Sequence, residues 1–384
     1  MNKQLQSNRF FNENKLRKLP NETPFFVFSR EVLTNNLKEY QSCLPLKTEI
    51  CYAMKANSEQ CVLKTLNEVG TSFEVASKYE LTLLKPLGVP AKRIIYGTSV
   101  KPADHIKEFV KYGVDRFAFD SEDELFKIAK YAPGARVYVR VLVDDRSDSI
   151  FHMSEKFGCP LKDSVNLFLR ARDLGLLPYG ISFNVGSQAR NEHAWARGIE
   201  DVAQVMTWLS KEGIKIQMIN IGGGFPYSYQ DDDNIPSIKQ ISEHIKVTVK
   251  KVPYPVEYIA EPGRGLVANA FVLITGVFGK NKKSNGHWLF VDAGAYNALL
   301  EAMAYQGSTR YRIIPLGKYS SNLKEHFIVT GPTGDNLDVV DPDAVLPSEI
   351  KPNDKLAIYD VGAYSFTLMT RFNGFPKPKV IILS

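Results

Sequence analysis

Apolar and polar positions follow two different regimes along this chain. In the first, β-rich apolar runs occur at Thr48–Met54, Ser72–Ala76, Arg93–Gly97, Arg116–Phe119 and Arg136–Val143, then at Gly180–Val185, Met218–Ile221 and Val256–Ala260. Between them, helical patterns cover Glu59–Val69, Lys78–Lys85, Pro102–Tyr112, Glu122–Tyr131, Lys162–Leu174, Glu192–Lys211 and Ser237–Lys250. Strands separated by helices pair in parallel through crossover connections. Eight of them over roughly 220 residues have the number and size of a closed (β/α)8 TIM barrel.

After about Val267 the regime changes. Short β-rich runs follow at Phe271–Gly279, His287–Val291, Tyr311–Pro315, His326–Val329, Lys355–Tyr359 and Lys379–Leu383, with Gly and Pro turns and hardly any helix. The pattern predicts an α/β barrel over 24–266 and a C-terminal antiparallel β domain, sandwich- or barrel-like, over 267–384. The N-terminal segment 1–30, through Thr23–Ser29, is a candidate addition to that second domain.

Composition narrows the function classes. The chain has 384 residues, 44% of them hydrophobic, with 48 Lys+Arg against 42 Asp+Glu. The signs are interleaved, so the dense basic footprint of a nucleic-acid binder is missing. The longest nearly apolar stretch, Gly265–Phe278, is too short to span a bilayer, and the N-terminus carries no apolar signal core. Cys43, Cys51, Cys61 and Cys159 form no CxxC pair and are expected to be reduced thiols in a cytoplasmic protein. The six histidines form no HExxH or HxxxH pair, so no metal site is expected, and Asp231–Asp233 reads as a solvated turn.

Residues just past the C-terminal ends of barrel strands face the active site in this architecture. Here those ends are Ala53–Asn57 with Lys55, Glu74–Ser77, Arg140, Asn184–Ser187, Gly222–Gly224 and Glu261–Arg264. A lysine in a packed barrel mouth can lose its proton by desolvation, which an imine-forming amine requires. Successive glycines offer uncovered N–H groups to a phosphate, with Ser187 and Arg264 as further donors. A carboxylate at Glu261 suits a cationic ring nitrogen. Together the three features describe a site for pyridoxal 5'-phosphate.

The segments CYAMKANS, FEVASKYEL, FAFDSEDELFKIA, ISFNVGSQ, INIGGGFP, AEPGRGLVANA, GPTGDNLD and VGAYSFTLMTRFNGF also resemble the ornithine/diaminopimelate decarboxylase family, fold-type III pyridoxal-phosphate enzymes, and its ornithine branch most. The resemblance runs from about Thr23 to the end. It implies an alanine racemase-like barrel and a head-to-tail homodimer with active sites at the subunit interface. It places the covalent attachment of the cofactor on Lys55 and the pyridine partner at Glu261. Phosphate contacts fall to Ser187, Gly222, Gly223, Gly224, Arg264 and Tyr364. Glu74, where the family usually has Asp, and Arg140 are implied beside the attachment point. Asp335 and Phe372 are implied to reach in from the second subunit, and Lys156 and Asp338 to form an inter-subunit charge pair.

Three departures from the family pattern bear on function. Asn184 replaces an imidazole that stacks on the cofactor ring. Gly334 replaces the cysteine that reprotonates the substrate carbon. Ala304 and Tyr305 stand where ornithine-type enzymes hold the distal ammonium with an acidic residue. The expected activity is decarboxylation of an amino acid or conjugate other than a simple diamino acid, in a specialised, polyamine-like biosynthetic pathway. Gly334, Asp335, Tyr305 and Phe372 would then shape the substrate end of the site. The alternatives are decarboxylation-dependent transamination or oxidation, ordinary ornithine/lysine decarboxylation, and an inactive decarboxylase-like regulatory protein.

Overall fold

The computed structural model describes residues 11–20, 22–45, 47–143, 149–151, 156–230, 234–304 and 309–383. Tyr305 and Asp231–Asp233 lie outside the described residues. Two compact units separate, one built on 37–227 and 234–265, the other on 11–36, 228–230 and 266–383.

In chain order, β1 (Phe25–Ser29) belongs to the second unit. The first unit is the expected barrel. Its strands are β2 (Glu49–Ala53), β3 (Ser72–Val75), β4 (Ile94–Tyr96), β5 (Arg116–Phe119) and β6 (Arg136–Arg140). After the short β7 (Ser149–Phe151) come β8 (Leu177–Ser182), the short β9 (Ser187–Ala189), β10 (Met218–Asn220) and β11 (Glu257–Ala260). The eight long-range partners run β2-β3-β4-β5-β6-β8-β10-β11 and close on themselves, while β7 and β9 form a separate antiparallel pair. Cys51, Ile95, Ala118, Tyr138, Tyr179, Met218 and Ile259, from seven of the strands, fill one buried cluster. The barrel is therefore a packed core with its chemistry at the strand ends.

Strands and helices fall within one or two residues of expectation for most elements. Three strands depart further: the fifth barrel strand stops at Arg140, the strand starting at Phe271 runs on to Lys283, and the sixth barrel strand runs Leu177–Ser182 because 183–186 turns away as a loop. A helix at Arg30–Cys43 was not anticipated, although Val32, Leu33, Leu37 and Tyr40 bury its apolar stripe.

The second unit holds β12 (Phe271–Lys283), β13 (Gly286–Val291), β14 (Ile313–Pro315), β15 (Lys324–Thr330), β16 (Val339–Pro347), β17 (Lys355–Tyr359) and β18 (Lys379–Leu383). Their order is β14-β17-β12-β13-β15-β16, with β1 paired to both β12 and β18. The antiparallel expectation needs correcting, since β1 with β18 and β13 with β15 are parallel pairs and the sheet is mixed. Strand β16 was missed because Asp341-Pro342-Asp343 reads as a turn. It is tolerated at the sheet edge, where its register with β15 shifts. All four cysteines are unbridged. Among the described residues no helix is long and apolar enough to cross a membrane.

Candidate active site

Lys55 occupies a single 3-10 turn, Met54–Ala56, that follows β2 directly. The turn is locked on both sides: the Ala53 N–H donates to the Pro262 carbonyl at 3.2 Å, and Tyr52 donates its hydroxyl to the Asn57 carbonyl at 2.8 Å. Met54 and Ala56 are buried, but Lys55 is exposed. The expected desolvation of this lysine is thus not supplied by the chain alone.

Acidic groups converge on that lysine. Glu74, on β3, is 4% exposed, and its Oε2 is buried without a hydrogen-bond partner. Glu261 follows β11 and accepts from Asn220 Nδ2 at 2.6 Å. Burial raises the Glu261 carboxyl well above the usual range and the charge of Glu74 adds to this. The Asn220 bond, Lys55 and Arg140 oppose it. Glu80 was missed in the sequence. It accepts from the Ala76 N–H at 2.7 Å, and burial raises its carboxyl to about 7, with Glu74 adding and Lys55 opposing. The Ser77-x-x-Glu80 spacing was the available signal: the Ser77 hydroxyl caps the helix Lys78–Leu84. Arg140 ends β6, with its guanidinium 5.5 Å from the centroid of Phe157.

The glycine triplet forms a tight shelf after β10. Gly222 and Gly224 have φ of 68° and 86°, in the left-handed region. A Cβ at Gly222 would strike the Phe183 carbonyl, one at Gly224 the Gly186 carbonyl, and one at Gly223 would lie 2.8 Å from the Glu261 carbonyl oxygen. All three glycine carbonyls are taken: Gly222 by the Glu261 N–H at 2.8 Å, Gly223 by Trp195 Nε1 at 3.1 Å, Gly224 by the Ala189 N–H at 3.2 Å. The N–H groups of Gly223 and Gly224 donate to nothing among the described residues. Asn184 turns its Oδ1 to the Gly186 N–H at 2.9 Å, Ser187 opens β9, and Arg264 is buried in the turn after Glu261.

The remaining expected residues lie in the second unit. Tyr364, with φ of 55°, is in the loop after β17. Gly334 is exposed, and its N–H donates to Asn373 Oδ1 at 3.1 Å. Asp335 lies next to it and hydrogen-bonds Tyr296, whose ring stacks on Phe372 at 4.5 Å. Gly334, Asp335 and Phe372 are thus one cluster, with Tyr296 an unanticipated member. Asp338 is the residue expected to pair with Lys156 across subunits. It is fully buried, with one carboxylate oxygen taken by the Ala295 N–H at 2.7 Å and the other by the Thr333 N–H and hydroxyl at 3.0 and 2.7 Å. Within the chain its carboxylate anchors loops of its own unit, and Lys156 packs over the ring of Phe157.

The barrel residues fit pyridoxal phosphate. A buried shelf with two uncommitted N–H donors suits a phosphate, and its glycines exclude any Cβ. A carboxyl with raised proton affinity suits a ring nitrogen that must share a proton. An accessible lysine lies at the end of the first barrel strand.

Comparison with known proteins agrees. Residues 30–268 match the family described as pyridoxal-dependent decarboxylase, pyridoxal binding domain. The lysine/ornithine decarboxylase of Selenomonas ruminantium is 32% identical over 360 residues, 94% of this chain and 89% of that protein. Antizyme inhibitor 2 of Xenopus laevis is 32% identical over 96% of this chain and 82% of that protein. The crystal structure of the Vibrio vulnificus lysine/ornithine decarboxylase complexed with putrescine superimposes with a TM-score of 0.86 at 26% identity, covering 99% of this chain and 97% of that one. The chain belongs to the fold-type III pyridoxal-phosphate-dependent amino-acid decarboxylases, on the ornithine/lysine decarboxylase-like side of that family.

Proposed function

We propose that this decarboxylase acts on an α-amino acid, or an amino-acid conjugate, whose side chain is bulkier and less cationic than that of ornithine or lysine. The observation that carries this reading is the open space at Gly334, where the nearest atom to an added Cβ is Asn373 Oδ1 at 3.9 Å. That space adjoins the half-buried ring of Tyr296 stacked on the exposed ring of Phe372, a flat surface suited to a larger group. Ala304 and Tyr305 in the sequence supply no acid for a distal ammonium, and losing such a partner costs binding energy on the order of several kcal/mol.

In this reading Lys55 holds the cofactor covalently, and the N–H groups of Gly223 and Gly224, with Ser187, Arg264 and Tyr364, hold its phosphate. When bound, pyridoxal phosphate supplies an electron sink for the pair left as carbon dioxide departs. Glu261 would pair its carboxylate with the protonated ring nitrogen, a cation that offsets the burial raising its proton affinity. Asn184 offers a flat amide to the ring face without a titratable charge. Glu74 and Arg140 hold the charges beside Lys55 in balance. Gly334 has no proton to give, so the product carbon must take one from Lys55, water or a tyrosine. Tyr296 is one such hydroxyl, kept protonated by its burial and by the charge of Asp335. We propose a homodimer in which the cluster of Gly334, Asp335 and Phe372 serves the other subunit's barrel.

A carbon-dioxide release screen across amino acids and their conjugates, with mass analysis of products, tests the reading. Ornithine or lysine turning over at ordinary rates would overturn the substrate class. An amine product carrying one solvent deuteron at the former α-carbon would exclude the transamination and oxidation outcomes.

A further inference from the structure

Apart from the residues assigned to the cofactor, Glu192, His193 and His244 form a cluster whose ligating atoms all lie within 4.8 Å of one another. Glu192 Oε1 is 3.3 Å from His244 Nε2 and 3.9 Å from His193 Nε2, and the two imidazole rings are 3.9 Å apart. We propose that this cluster is a divalent transition-metal site of zinc type, unrelated to the cofactor chemistry. Two imidazoles and one carboxylate are the donor set that borderline cations such as Zn2+ prefer, and three protein ligands leave a fourth position for water. Bonds of about 2.0–2.2 Å place tetrahedral ligands roughly 3.4 Å apart, so small side-chain rotations complete the geometry.

The backbone beneath the ligands is fixed. His193 is the N-cap of the helix Ala194–Lys211, and its N–H donates to Asn191 Oδ1 at 3.0 Å. Trp195, two residues on, is fully buried and stacks on Phe225 at 4.8 Å. His244 is held inside the helix Ile238–Thr248, between the buried Ile241 and Ile245. Ligands on one helix and on the turn that leads into another lose little freedom on closing around an ion. The spacing of Glu192-His193 to His244 gives no sequence motif, which is why the histidines looked scattered.

The test uses cofactor-loaded protein stripped of metal by chelation. Titration with Zn2+ by calorimetry, and with Co2+ by visible absorption, should show one equivalent bound. Affinity should fall roughly tenfold or more in His193→Ala and in His244→Ala. His287→Ala, which removes a different His–Glu pair, should leave it unchanged. Should His244→Ala fail to fold, His193→Ala carries the test, because that side chain is 54% exposed. Absence of stoichiometric binding, or binding undiminished in the two cluster variants, would overturn the proposal.

Discussion

The Glu74 carboxyl group rests directly on Gly97. A Cβ at Gly97 would overlap Glu74 Oε1 and approach Cγ to 2.7 Å. Gly97 thus makes room for the one extra methylene that Glu74 has over an aspartate. Gly97→Ala is expected to displace the carboxylate and weaken pyridoxal-phosphate binding to the apoprotein about tenfold, the effect of about 1–3 kcal/mol of overpacking. Glu74→Asp in the same chain should recover most of that loss, as read by absorbance titration. A double variant no better than Gly97→Ala would show that the overlap is not the cause.

The glycine shelf makes a second prediction. Gly223→Ala drives a methyl group against the Glu261 carbonyl, separating the phosphate donors from the strand end that carries the acid. Cofactor retention during gel filtration should fall sharply. Trp195→Phe keeps the packing but leaves the Gly223 carbonyl without its indole donor, costing about 1–3 kcal/mol. It should weaken cofactor binding less than Gly223→Ala.

Glu80 predicts a pH dependence of the apoprotein. Its carboxyl rises from 4.5 to about 7, mainly through burial, so the folded state holds a proton that the unfolded chain gives up. The contribution is fully present below pH 4.5 and is lost as the pH rises through about 7. Glu80→Gln should flatten the fall in Tm over that window, with an effect on the order of 1–3 kcal/mol. An unchanged slope would place the responsible group elsewhere.

Gly334→Cys should fold as well as the parent. Its backbone is not left-handed, and a Cβ meets nothing closer than 3.9 Å. A thiol there adds a proton donor and fills the open space. Small, cationic amino acids should gain turnover relative to bulkier ones. Equal activity profiles for the two proteins would count against the role given to the missing side chain.

The barrel was legible because burial forces a repeating pattern: each strand is an apolar run, and each helix shows a stripe such as Trp195, Ile199, Val202 and Met206. The barrel-mouth residues were legible because the strand-end rule points to them. What escaped depends on contacts between distant residues. Gly97 looks like an ordinary strand-end glycine until Glu74 lies against it, and nothing in the sequence shows that Thr333 and Ala295 close over Asp338. Strand β16 was hidden for a local reason, since a proline between two aspartates carries turn chemistry that only an edge position tolerates.

Strand β1 lies between β12 and β18, antiparallel to one and parallel to the other. A ribosome-bound chain therefore displays this apolar, fully buried strand, Phe25-Phe26-Val27-Phe28, long before either neighbour exists. The whole barrel segment must be synthesised first, and it can close without waiting. The β unit is then the late folder, and its first strand is the segment most exposed to mispairing or chaperone capture during synthesis.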